Sequence, residues 1–142
     1  MRVLHLITSL IIYGMGVRGH VGVYTPCLDK DGDFAQYVSR IEFFYDGTVA
    51  LTHQEGRLGR KKVYVCKYYI FPINETCPYY RARFEGYECW KLLQDSKGYL
   101  MPDSFKCSLQ LPKFEYLLMP LPSPHARTAL YKDRSWKCSK KV

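Results

Sequence analysis

Asparagine occurs once in this chain, at Asn74, tryptophan twice and histidine four times. Cysteine occurs six times, yet no two cysteines form a C-x-x-C pair and no histidine stands at a zinc-ligand spacing from them, so the common structural zinc patterns are missing. There is no glycine-rich phosphate loop, no serine or cysteine nucleophile signature, no internal repeat and no low-complexity segment. Beyond residue 17, no hydrophobic run approaches the ~20 residues a membrane-spanning helix needs. These absences leave no expected metal, no cofactor, no membrane contact and no catalytic residue.

What is present begins with a leader. Arg2 supplies a positive start, residues 3–17 form an apolar run without acidic residues, and small residues follow. This pattern predicts a signal peptide over residues 1–19, cleaved before His20 or a few residues to either side of Gly19, and a single secreted domain over residues 20–142. An even number of cysteines in a secreted chain implies disulfides, here drawn from Cys27, Cys66, Cys77, Cys89, Cys107 and Cys138, with three bridges expected and the pairing open. One pairing has a topological argument. Cys27 and Cys138 lie near the two ends of the secreted domain, and chain ends often meet in compact domains. The 21 Lys and Arg outnumber the 13 Asp and Glu, a formal charge of +8, and the 13 tyrosines are densest from Tyr64 to Tyr87. Tyrosine suits both packed strands and interfaces, because its ring buries well while its hydroxyl stays available.

Along the chain, Asp33 fits a helix N-cap, and Phe34, Tyr37, Val38, Ile41 and Phe44 follow at the spacing of one helical face. Asp46-Gly47 supplies a stop. Residues 48–51 fit a short strand and residues 52–62 a polar loop with a basic run. Residues 63–71, β-branched and aromatic up to Pro72, form the strongest strand signal. Residues 79–87 alternate strictly, placing Tyr80, Ala82 and Phe84 on one face and Arg81, Arg83 and Glu85 on the other. Shorter strands are expected at 105–111 and 114–119, and Pro120, Pro122 and Pro124 impose an extended loop. The expected fold class is α+β: a single helix packed on a twisted antiparallel β-sheet, braced by disulfides.

Two features carry candidate chemistry. Asn74-Glu75-Thr76 is an N-glycosylation acceptor pattern just after a strand end. Arg81, Arg83 and Glu85 share one strand face, a candidate surface for an anion or RNA. With a loop histidine (His53 or His125), Glu85 and an arginine would also meet the chemical needs of a ribonuclease that cleaves through a cyclic phosphate. His53 and His125 are each expected as solvated loop side chains, and His20 stands at the expected N-terminus of the secreted domain.

Taken in order, the leader, Tyr24-Thr25-Pro26-Cys27, the helix from Phe34, the aromatic strands and Cys138 resemble the ribonuclease-like secreted effectors of powdery-mildew fungi, the RNase-like proteins associated with haustoria. Two residues rather than one separate Tyr24 from Cys27, a departure from that family's aromatic-x-cysteine motif. The resemblance implies the fold of the small fungal guanyl-specific ribonucleases, with the last cysteine pairing back to the first. It implies a non-catalytic virulence protein that binds a host protein or RNA in the host apoplast or cytoplasm, open to recognition by plant immune receptors. An active secreted ribonuclease is the alternative. Active members of that fold use a tyrosine, two histidines, a glutamate and an arginine, and neither His53 nor His125 stands in a copy of their motif.

Overall fold

The computed structural model describes residues 19–26, 38–54, 59–122 and 127–132. It contains eight strands: β1 (Gly22–Pro26), β2 (Val38–Phe43), β3 (Thr48–Gln54), β4 (Lys61–Pro72), β5 (Tyr79–Glu85), β6 (Lys106–Gln110), β7 (Tyr116–Pro120) and β8 (Arg127–Lys132). Helix α1 (Tyr87–Asp95) and a short 3-10 turn (Pro102–Phe105) lie between β5 and β6. Each strand pairs antiparallel with its sequence neighbours, and β1 pairs with β8 through Thr25 opposite Tyr131. The result is a closed barrel, in which every strand has a partner on both sides. This replaces the expected helix on an open ribonuclease-like sheet.

The helix expected from Asp33 fails where it can be seen. Residues 27–37, including Asp33, Phe34 and Tyr37, lie outside the described residues, but Val38–Phe43 is strand β2. Its ladder with β3 shifts register between Val38 and Arg40, a bulge that puts Val38, Ile41 and Phe43 on the inner face. A bulge inserts one extra residue, so inward positions separated by three and then two residues imitate a helical face. Phe44 turns outward, and Asp46-Gly47 forms the tip of the β2–β3 hairpin rather than a helix stop. Asp46 Oδ1 accepts both the backbone N–H and the hydroxyl of Thr48, and Gly47 holds a φ of 89°, a region costly for side chains with a Cβ.

Five expected strands are present: β3, β4, β5, β6 and β7. In β4, Tyr64, Cys66, Tyr68 and Ile70 point inward, and in β5 Ala82 and Phe84 do so. One end of the barrel is plugged by aromatic rings. His20, wholly buried, packs edge-on against Phe43, Tyr68 and Phe114 at centroid distances of 5.3, 5.1 and 6.3 Å. Tyr24 stands beside Phe43 at 5.5 Å, and its hydroxyl reaches the carbonyls of Phe114 and His20. Lys132 of β8 donates to the Gly19 carbonyl, tying the chain entry to the barrel wall.

At the opposite end, α1 extends the barrel wall. Gly86, with a φ of 121°, ends β5, and the chain turns into the helix there. Strand β4 continues without β5 beyond the Lys67–Glu85 pair, and α1 lies along that stretch. Glu88 Oε1 accepts the Val65 N–H at 3.2 Å, doing what a β5 carbonyl would do. Cys89 and Leu92, three residues apart on one helical face, are buried, and a Cys66–Cys89 disulfide clasps α1 to β4.

Candidate functional site

The outer wall of β4 and β5 is where the sequence-predicted surface residues come together. Strand β4 is apolar on both faces: its inner face fills the barrel, while Val63, Val65, Tyr69 and Phe71 point outward. Val63 is 53% exposed, Tyr69 48% and Phe71 43%, an apolar row interrupted on the same face by Lys67 between Val65 and Tyr69. A strand with two apolar faces belongs to a sheet covered on both sides. Among the described residues, this outer row stays exposed.

Antiparallel register sets the charges beside that row. Arg83 stands opposite Tyr69, Arg81 opposite Phe71 and Glu85 opposite Lys67. On the far side of β5, Lys106 stands opposite Arg83. The Arg81 guanidinium donates to the Lys106 carbonyl at 2.9 Å, which fixes its direction along the wall. Arg83 and Glu85 form an exposed ion pair at 3.3 Å, the kind that contributes well under ~1 kcal/mol. Where β5 ends, a groove of about 290 Å³ continues the surface, with Trp90, Leu93 and Phe105 along it and Arg83 and Lys106 at its edge. Tyr87 and Trp90 stack on the exposed face of α1 with centroids 5.9 Å apart.

The ribonuclease constellation does not assemble among the described residues. Glu85 lies on the outer wall beside Arg83, whereas His53 and His20 are buried and face the barrel interior. His125 lies outside the described residues. The expectation of a solvated loop histidine is therefore corrected at His53. His53 belongs to β3, which runs past the predicted 48–51 into the stretch read as a loop. Two hydrogen bonds set the direction of the contact at His20 Nε2. The Tyr68 hydroxyl donates to the Phe44 carbonyl at 2.6 Å, so the His20 Nε2–H donates to the Tyr68 oxygen at 2.7 Å. Nδ1 is left as a lone pair with no partner among the described residues. Burial, together with the like charge of Lys132, lowers the pKa of His20 from 6.5 to about 4.

No family model, no curated protein and no solved structure matches this chain.

Of the six cysteines, Cys66 and Cys89 are bridged, while Cys77 and Cys107 are free, so three bridges do not form. Cys27 and Cys138 lie outside the described residues. Cys107 is wholly buried, donates to the Ser104 carbonyl, and has its thiol pKa pushed up by burial, which makes it inert. Asn74 is exposed in the β4–β5 connection. Its Oδ1 accepts the Thr76 N–H, the Thr76 hydroxyl and the Cys77 N–H. The residues that sequence reading overlooked are Lys67, Trp90 and the outer parity of β4. The signal was available: apolar residues at both parities across residues 63–71.

Proposed function

We infer that this is a secreted, non-catalytic binding protein that engages a partner protein through the outer β4–β5 wall. The observation that carries the reading is the row Val63, Val65, Tyr69 and Phe71, exposed on the outside of a closed barrel and flanked by Arg81 and Arg83. Large exposed apolar surface marks an interaction site, and aromatic residues with arginine are the side chains that dominate protein interfaces. The aliphatic members of the row offer no π-face on which a base could stack, which favours protein over RNA. The surplus of positive charge, with Lys67, Arg81, Arg83 and Lys106 on or beside the row, favours an acidic partner surface. The apolar leader, which fits a secretion signal, favours a partner outside the producing cell.

The test compares the wild-type protein with a Tyr69→Ser/Phe71→Ser variant as bait in host extract, beside a titration with fluorescent single-stranded RNA. The expected result is a protein retained by the wild type and lost by the variant, with unchanged thermal stability and no RNA binding at physiological salt. A partner held equally by both baits overturns the assignment of the wall. RNA binding that persists at that salt and disappears in the variant overturns the choice of a protein partner.

A further inference from the structure

At the helix end of the barrel, a hollow of about 380 Å³ opens between the end of β3, the start of β4 and the C-terminus of α1. That volume lies within the usual range of small-molecule sites. Its buried side chains are Tyr64 and His53, whose rings meet edge-on at 6.4 Å. Arg60, Lys62 and Asp95 complete the lining. Lys62 Nζ sits 5.0 Å over the Tyr64 ring and 3.7 Å from Asp95 Oδ2, and the Tyr64 hydroxyl donates to that same oxygen at 2.5 Å.

Folding alone does not account for this arrangement. Asp95 is the last residue of α1, where the helix dipole disfavours a carboxylate. The Cys66–Cys89 clasp and buried Leu92 fix α1 against β4, and so hold Asp95 over Tyr64. The Tyr64 hydroxyl, aided by Lys62 and Lys91, keeps the Asp95 carboxyl below its usual range, so it stays ionised. One carboxylate then faces Arg60, Lys62 and Lys91, leaving a surplus of positive charge at the rim of a hollow whose floor is two aromatic rings.

We propose that this barrel mouth binds a small organic oxyanion, its carboxylate or phosphate held between Arg60 and Lys62 and its body resting on the rings of Tyr64 and His53. Arginine and lysine are the residues that bind such oxyanions, arginine by a planar fork of donors and lysine as a point charge. Asp95 acts as the internal counter-ion that holds Lys62 in place when the site is empty, and the ligand competes with it for that ammonium. The site lies inside the mouth and does not depend on the outer β4–β5 wall.

The test is a chemical-shift titration of the uniformly ¹⁵N-labelled protein with phenyl phosphate and with benzoate, which separate phosphate from carboxylate. Inorganic phosphate and phenol serve as the charge-only and ring-only arms. At least one of the two aromatic anions should bind saturably, in the low-millimolar range or tighter, with shifts centred on His53 and Tyr64. The Arg60→Ala/Lys62→Met variant, altered only at exposed positions, should bind about tenfold or more weakly. Asp95→Asn should bind more tightly, because it removes the competing carboxylate, and Lys67→Met on the outer wall should bind as the wild type does. No saturable binding of either anion, equal binding by the Arg60→Ala/Lys62→Met variant, phenol binding as well as the anions, or weaker binding by Asp95→Asn would each overturn the proposal.

Discussion

Acidification should unfold this barrel from its plugged end, and His20 supplies the lever. The imidazole is wholly buried among Phe43, Tyr68, Phe114 and Tyr24, with Lys132 as the nearby charge and an Nδ1 lone pair lacking a partner among the described residues. Its folded pKa of about 4 lies below the unfolded value of 6.5, so between those values the unfolded chain binds more protons than the native one. Stability from this group is complete above pH 6.5, declines as pH falls toward 4, and is gone below that. At 1.36 kcal/mol per pKa unit, the span amounts to at most about 3 kcal/mol, or roughly 10 °C in melting temperature for a domain of this size. The assay is urea unfolding followed by circular dichroism at a series of pH values, for the wild type and for His20→Phe. Phenylalanine keeps an aromatic ring in the plug and cannot titrate. Carboxylates elsewhere bend both curves alike, so the difference between the two proteins isolates His20. The wild type should lose about 3 kcal/mol more than the variant between pH 7 and pH 4. Parallel curves across that window would refute the placement of a neutral, buried imidazole.

Three further outcomes follow from named contacts. Replacing Cys66 and Cys89 with alanine opens a loop spanning 23 residues and should cost about 3 kcal/mol in the chain-entropy account, read as a lower urea midpoint; an unchanged midpoint would mean the clasp adds nothing. RNA incubated with purified, oxidised protein should stay intact, because Glu85 has no histidine beside it among the described residues; cleavage lost in Glu85→Gln would restore the ribonuclease reading. Secretion from a eukaryotic cell should add a glycosidase-sensitive glycan at exposed Asn74, absent in both Asn74→Gln and Thr76→Ala, and an unshifted wild-type band would exclude it.

Local patterning made much of the wall legible and hid its closure. The alternation of residues 79–87 gave the facing of β5 correctly at Arg81, Arg83 and Glu85, and the β-branched run after Lys62 located β4. The same alternation ran on through Tyr87 and concealed α1, because Gly86 breaks the strand by its backbone conformation and leaves no mark in the period. In β2 the bulge at Val38/Arg40 turned a strand into an apparent helix. The outer site was half visible: the arginines were found, but not the apolar row they flank. Of the mouth, the basic run through Arg60 and Lys62 was read as loop charge, and nothing in the order of residues brought Asp95 to Tyr64.

By itself, then, the order of residues determined which segments favour extended backbone and, outside the bulged strand, which side chains share a face, since both are decided within a few residues by sterics and by the two-residue period of a strand. The tertiary structure alone decided that Thr25 meets Tyr131, that Cys66 chooses Cys89, that His20 enters the barrel and that Lys62, Tyr64 and Asp95 converge. Those choices join positions far apart in the chain. Their loop-closure entropy depends weakly on separation, so the summed burial of the whole barrel, rather than any local preference, selects among the partners.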